Sequence, residues 1–132
     1  ARAQLVADAP KTGFYFPPVL LAGVPLTHEV AQDEVFGPVL AAFAFDGEDE
    51  AAHLANDTPY GLTAAVWTRD GGRALRMAHR IEAGQVFINN YGAGGGIELP
   101  FGGMKHSGYG REKALEGLKS FTTIKTIAIS HG

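Results

Sequence analysis

Between Val39 and Asn89 the sequence repeats one unit: an apolar run, a capped amphipathic stretch and a breaker. Val39 to Phe45 is apolar throughout, as expected of a strand covered on both faces. Asp46 follows as a candidate N-cap, with Glu48, Asp49 and Glu50 placed where the positive end of a helix favours them. Ala51, Leu54 and Ala55 give this helix its apolar stripe, and Asn56-Asp57-Thr58-Pro59 ends it. The order then recurs. Leu62 to Trp67 reads as a strand, Asp70 caps a helix whose inner face is Ala74, Met77, Ala78 and Ile81, and Gly84 turns the chain into a strand over Gln85 to Asn89. An earlier strand is expected from Val19 to Val24. Strands and helices alternating through short joins predict an α/β fold, a mostly parallel sheet with flanking helices and right-handed crossovers. Arg73, Arg76 and Arg80 share the outer face of the second helix and read as a solvated cationic stripe.

The pattern dissolves after Asn89. Residues 90–110 are rich in glycine, and a loop of this length in a small domain is usually functional or mobile. Arg111 to Leu118 can form a short helix. Phe121 to Ser130 is β-branched and reads as a terminal strand, with Ile124 and Ala128 on one face and Ile127 and Ile129 on the other. A last strand apolar on both faces needs cover, and a second subunit is a natural source of it.

Several function classes can be set aside. The net charge of −3 gives no basic footprint for nucleic acid or an anionic membrane surface. No apolar run approaches the roughly 18 residues that cross a bilayer, and no leader pattern opens the chain. Cysteine is absent, so there is no disulfide, thiolate metal site or cysteine nucleophile, which is compatible with a reducing cytoplasm. The five histidines never form a His-x-x-x-His pair, so no metal site is expected. The chain starts at Ala1 and opens in loop-like sequence, Ala9 to Gly13, as if entered partway through a longer fold.

The segment most suggestive of ligand contact is Asp33-Glu34-Val35-Phe36-Gly37-Pro38, an acidic pair and a ring at the mouth of an apolar strand. A carboxylate can accept hydrogen bonds from both hydroxyls of a ribose, and an aromatic two residues on lies on the same side of an extended segment. The alternative is a solvated Glu34 beside a core Phe36. The glycine loop invites a phosphate cradle, but Gly92, Gly94 and Gly96 are spaced by two, and Ile97 stands where Gly-x-Gly-x-x-Gly needs its last glycine. Ser107 could tempt a hydrolase assignment, but Lys105 occupies a position where the nucleophile elbow requires glycine. Lys105, Arg111 and Glu112 read most simply as salt-bridging or helix-terminal groups.

Four ordered motifs carry a resemblance. Glu34 to Val39 (Glu-Val-Phe-Gly-Pro-Val), Asn56 to Leu62 (Asn-Asp-Thr-Pro-Tyr-Gly-Leu), Gly84 to Asn89, and Pro100 to Glu112 (Pro-Phe-Gly-Gly-Met-Lys-His-Ser-Gly-Tyr-Gly-Arg-Glu) resemble, in order and spacing, the C-terminal part of NAD(P)-dependent aldehyde dehydrogenases. Gly13 to Pro17 is similar to that family's approach to the first motif. The resemblance implies that Glu34 binds the nicotinamide ribose, that Phe36 lies beside the nicotinamide and that Leu62 is near the ring. It implies that Phe101 lines the aldehyde tunnel, that Tyr91 to Leu99 shape its entrance, and that the last strand joins a neighbouring subunit in a homo-oligomer. Residues 1–120 would then be the C-terminal part of the catalytic domain and residues 121–132 the oligomerisation strand. Two positions depart from the family pattern: Asp33 stands where glutamate is common, and Gly94 to Gly96 where many members carry a bulky aromatic.

Catalysis in that family runs through a cysteine thiolate that attacks the aldehyde; hydride leaves for NAD(P)+, and a glutamate-activated water hydrolyses the thioester. This chain contains no such cysteine, and nothing in it matches the glutamate base or the nucleotide-binding domain. The resemblance therefore implies part of an enzyme oxidising aldehydes to carboxylic acids, completed by the remaining N-terminal part, with no catalytic residue in these 132 positions. The other reading is a free-standing, non-catalytic α/β module that keeps the sheet and binds a partner.

Overall fold

Eleven short elements follow one another along the chain in the computed structural model, which describes residues 2–92 and 95–132. They group into two compact units, Ala1–Thr58 and Pro59–Gly132.

The first unit holds a three-stranded sheet in the order β1 (Arg2–Leu5), β2 (Val19–Ala22), β3 (Val39–Ala42). β2 and β3 run parallel, with Val19 opposite Val39 and Ala22 opposite Ala42, while β1 pairs antiparallel to β2. The ladder continues one step beyond β3, because Val19 N–H donates to Pro38 O at 2.9 Å. Helix α1 (Glu29–Gln32) lies between β2 and β3, and α2 (Gly47–Asn56) follows them. The Gln32 side-chain amide donates to Leu26 O at 2.9 Å and to Asp57 O at 3.0 Å, tying α1 to the end of α2.

The second unit contains two two-stranded pairings. β5 (Thr63–Val66) runs parallel to β6 (Gln85–Ile88) with α3 (Gly71–Arg80) between them, a complete β-α-β crossover. β4 (Tyr60–Gly61) pairs antiparallel with β7 (Met104–Lys105), and α4 (Ala114–Lys119) comes last.

The α/β class and the three expected helices are present, the last running Ala114–Lys119 rather than from Arg111, with parallel pairs β2–β3 and β5–β6. Asp70 caps α3 as expected, its carboxylate accepting from Arg73 N–H at 3.0 Å. That hydrogen bond to the ionised form holds the Asp70 carboxyl below its ordinary 3.8, against an opposing push from desolvation. Arg73, Arg76 and Arg80 lie on the exposed side, while Ala74 and Met77 are buried. Asp46 differs. Its side chain makes no cap hydrogen bond; Glu50 instead reaches back and accepts from Asp46 N–H at 2.6 Å. The inward residue of α2 is Ala52, whereas Ala55 is exposed. Residues 121–130 form no strand here. They pair with no edge among the described residues, and Ile124, Ile127 and Ile129 are exposed, because a ladder needs a partner whatever the propensity of its residues.

The apolar residues that reach full burial are few and mostly small: Val24 and Ala52 in the first unit, Ala74, Met77 and Ala83 in the second. The accessible surface is 10224 Å². Among the described residues no helix is long and apolar enough to cross a membrane.

Candidate functional site

Glu34 and Phe36 stand where α1 gives way to β3. The Asp33 N–H closes α1 on Glu29 O at 2.7 Å, and Val39 N–H donates to Gly37 O at 2.8 Å, so the intervening segment is a tight bend around Pro38. Phe36 has a backbone φ of 54° and its ring is 90% exposed. A bulky residue with positive φ is an outlier, and such outliers gather at ligand clamps and switches. Around it lies a hollow of about 330 Å³ lined by Val30, Asp33 to Gly37, Val39 and Ala41. Glu34 is exposed at its rim and has no hydrogen-bond or ion-pair partner among the described residues. Phe36 does not pack into the core of the described residues.

A second hollow, of about 780 Å³, lies within the other unit and brings Leu62 and Phe101 together. Its wall is the glycine-rich segment from Phe101 to Arg111, folded back by a dense set of main-chain contacts. Phe101 and Glu112 exchange both backbone hydrogen bonds, at 2.8 and 2.7 Å. The Arg111 guanidinium donates to Gly103 O at 2.9 Å and Gly110 O at 2.6 Å, closing both ends of the turn. The backbone of Gly84 lies against Gly102 O, so any Cβ at position 84 would collide with it. Gly103 is buried against Ser107, where a Cβ would come within 2.5 Å of the serine Cβ.

Ser107 has a structural task here. Its hydroxyl oxygen accepts from Gly61 N–H at 3.0 Å and ties the turn to β4, with His106 N–H donating to Pro59 O beside it. Lys105 pairs with Glu82 at 3.0 Å, the salt bridge expected of it. Arg111 is neither salt bridge nor helix end but a clamp on carbonyl oxygens. Lys113, which the sequence did not single out, places its Nζ 5.4 Å from the Phe101 ring centroid.

Tyr91 does not line either hollow. Its ring is tilted against Phe87 with centroids 6.4 Å apart, and it leads into the glycine loop, of which Ala93 and Gly94 lie outside the described residues. Asn89, at φ 50°, uses its side-chain amide to donate to Thr68 O and accept from Thr68 N–H, both at 2.9 Å, continuing the β5–β6 ladder with a side chain. Among the described residues no group of acidic or histidine side chains could hold a metal ion.

An α/β chain with paired β-α-β parallel strands, a Glu-x-Phe-Gly-Pro bend and a glycine-rich turn folded on Phe101 matches one family. The aldehyde dehydrogenase family model covers residues 1–127, and the chain belongs to that family. It is 46% identical over 132 residues to the NADP/NAD-dependent aldehyde dehydrogenase PuuC of Escherichia coli K12, covering 98% of this chain and 26% of that protein. The crystal structure of a provisionally assigned aldehyde dehydrogenase of Burkholderia cenocepacia is 67% identical, with a TM-score of 0.84 over 98% of this chain and 27% of its own. The Mycobacterium tuberculosis aldehyde dehydrogenase complexed with NAD+ is 40% identical, with a TM-score of 0.83 over 92% of this chain and 26% of its own. The chain thus spans about a quarter of the length of these relatives.

Proposed function

We propose that this segment serves a cytoplasmic NAD(P)-dependent aldehyde dehydrogenase that oxidises an aldehyde to a carboxylic acid. In that enzyme it holds the nicotinamide ribose, walls the aldehyde entrance and forms the subunit contact through residues 121–130. The observation that carries the reading is the bend at 34–37: an unpartnered carboxylate and a ring 90% exposed share one hollow. That pair of side chains fits a nicotinamide riboside. Glu34 can accept from both ribose hydroxyls with charge-assisted bonds, and the Phe36 face offers apolar area to the adjoining planar ring. Bound there, NAD(P)+ would supply the hydride acceptor of the oxidation. Glu34 fixes the sugar and Phe36 limits the tilt of the ring.

Leu62 and Phe101 supply apolar wall to the aldehyde, and Tyr91 starts the loop that bounds its entrance. The apolar surface supports a role as one part of a larger catalytic body, and it argues against a free-standing interaction module. Phe14, Phe121 and Ile124 are each at least 90% exposed, far beyond the scattered apolar exposure of a finished surface.

Two measurements test this reading. In the full-length enzyme, Glu34→Gln keeps the shape but loses the charge, and kcat/KM for NAD(P)+ should fall about tenfold; unchanged kinetics would remove Glu34 from the site. The purified 132-residue chain should produce no NAD(P)H from any aldehyde, since it has no thiol to attack the carbonyl. Turnover by that chain would overturn the assignment.

A further inference from the structure

Resting on the reading that Phe101 walls the aldehyde entrance, the geometry points to Lys113 as a positioning residue that fixes the Phe101 ring and so sets how tightly an aldehyde is held. Lys113 occupies φ 62°, ψ 172°. That backbone region is essentially reserved for glycine, and a side chain placed there strains the chain. A strained lysine persists where the surrounding structure over-determines it, and one contact its side chain makes is with the Phe101 ring.

The contact is specific. Nζ stands 5.4 Å from the Phe101 centroid, inside the roughly 6 Å reach of a cation–π attraction. Both residues are half-buried and both line the same hollow. The main chain prepares the approach from two sides. The Phe101–Glu112 bridge puts residue 113 one step past the residue opposite the ring, and Ala114 N–H then donates to Ile97 O at 3.0 Å. Gly117 N–H closes on Lys113 O at 2.7 Å, so the turn at Lys113 is anchored before α4 begins. Lys113 is thus held by its backbone on both sides while its ammonium covers one face of the Phe101 ring.

The test is steady-state kinetics of the full-length enzyme with four variants. Phe101→Ala should raise the KM for aldehyde by enlarging the entrance. Lys113→Met keeps the apolar stem and removes the cation; the aldehyde KM should rise about five- to tenfold, with kcat and the KM for NAD(P)+ unchanged. Lys113→Arg, whose guanidinium also stacks on rings, should recover most of the lost affinity. Lys113→Gly relieves the backbone, so the thermal midpoint should hold or rise while the aldehyde KM rises as in the methionine variant. Loss of a residue that merely supported the fold would instead lower the thermal midpoint as the KM rose. If Phe101→Ala leaves the aldehyde KM unchanged, the entrance reading falls and this inference with it. If Phe101→Ala raises the KM and Lys113→Met does not, the inference alone is overturned.

Discussion

Phe36 and Phe101 occupy the two candidate ligand regions, and the chain holds them by different means. Phe36 is presented by its backbone alone: φ is 54°, a Gly-Pro bend follows, and the ring is 90% exposed. Phe101 is gripped from within its own segment by the Glu112 bridge and the Lys113 ammonium, and the Arg111 clamp secures the turn behind it. The first arrangement suits a planar group that arrives and leaves, because the partner that would fix the ring is the ligand. The second suits a wall that must keep its shape before any substrate enters, which is how preorganisation reduces the cost of binding. The Phe101 region is therefore held by contacts within this segment, while the Phe36 region is left open.

That contrast can be broken most severely at Gly84. Its Cα packs on Gly102 O, so Gly84→Ala should displace the whole Phe101 turn and destabilise the enzyme by about 3 kcal/mol. The loss should appear in the denaturant midpoint and in aldehyde kinetics together; a fully stable variant would show that the turn is not held from β6. A smaller effect is expected at Ser107. Ser107→Ala removes the acceptor for Gly61 N–H and should cost about 1 kcal/mol, while leaving kcat intact. Abolished kcat with normal stability would reinstate Ser107 as a chemical group.

The smallest effect lies outside both regions. The Asp70 carboxyl is held below its ordinary 3.8 by the Arg73 N–H, so its stabilising contribution is fully present above that value. It is lost as pH falls through the lowered folded-state value. Asp70→Asn keeps a capping side chain and removes the titration, so acid unfolding of the variant should lack that component below about pH 4. Identical acid limbs for both proteins would deny the carboxylate that role.

What the sequence revealed divides along the same line. β5, α3 and β6 were legible because their signals are local: a capping Asp70, an inner face of Ala74 and Met77, and a breaker at Gly84. The β4–β7 pair was not, since a two-residue ladder joins distant segments and carries no alternation of its own, and neither was the four-residue β1, every residue of which is exposed. Residues 121–130 have strand propensity without a ladder, because pairing depends on an edge that the described chain does not present. Within the candidate sites, Glu34 and Phe36 could be picked out by residue type. Arg111 was seen as a charge, yet its role depends on two carbonyls brought to it by the fold. Lys113 carries no sequence signal at all; its importance comes from a backbone conformation that residue identity does not predict.

The central claim is that Glu34 and Phe36 form the nicotinamide riboside face of an aldehyde dehydrogenase. A crystal structure of the full-length enzyme with NAD+ tests it most directly. The account predicts both ribose hydroxyls donating to the Glu34 carboxylate at hydrogen-bond distance, with the Phe36 ring packed beside the nicotinamide. A riboside bound elsewhere, with Glu34 left in solvent, would contradict it.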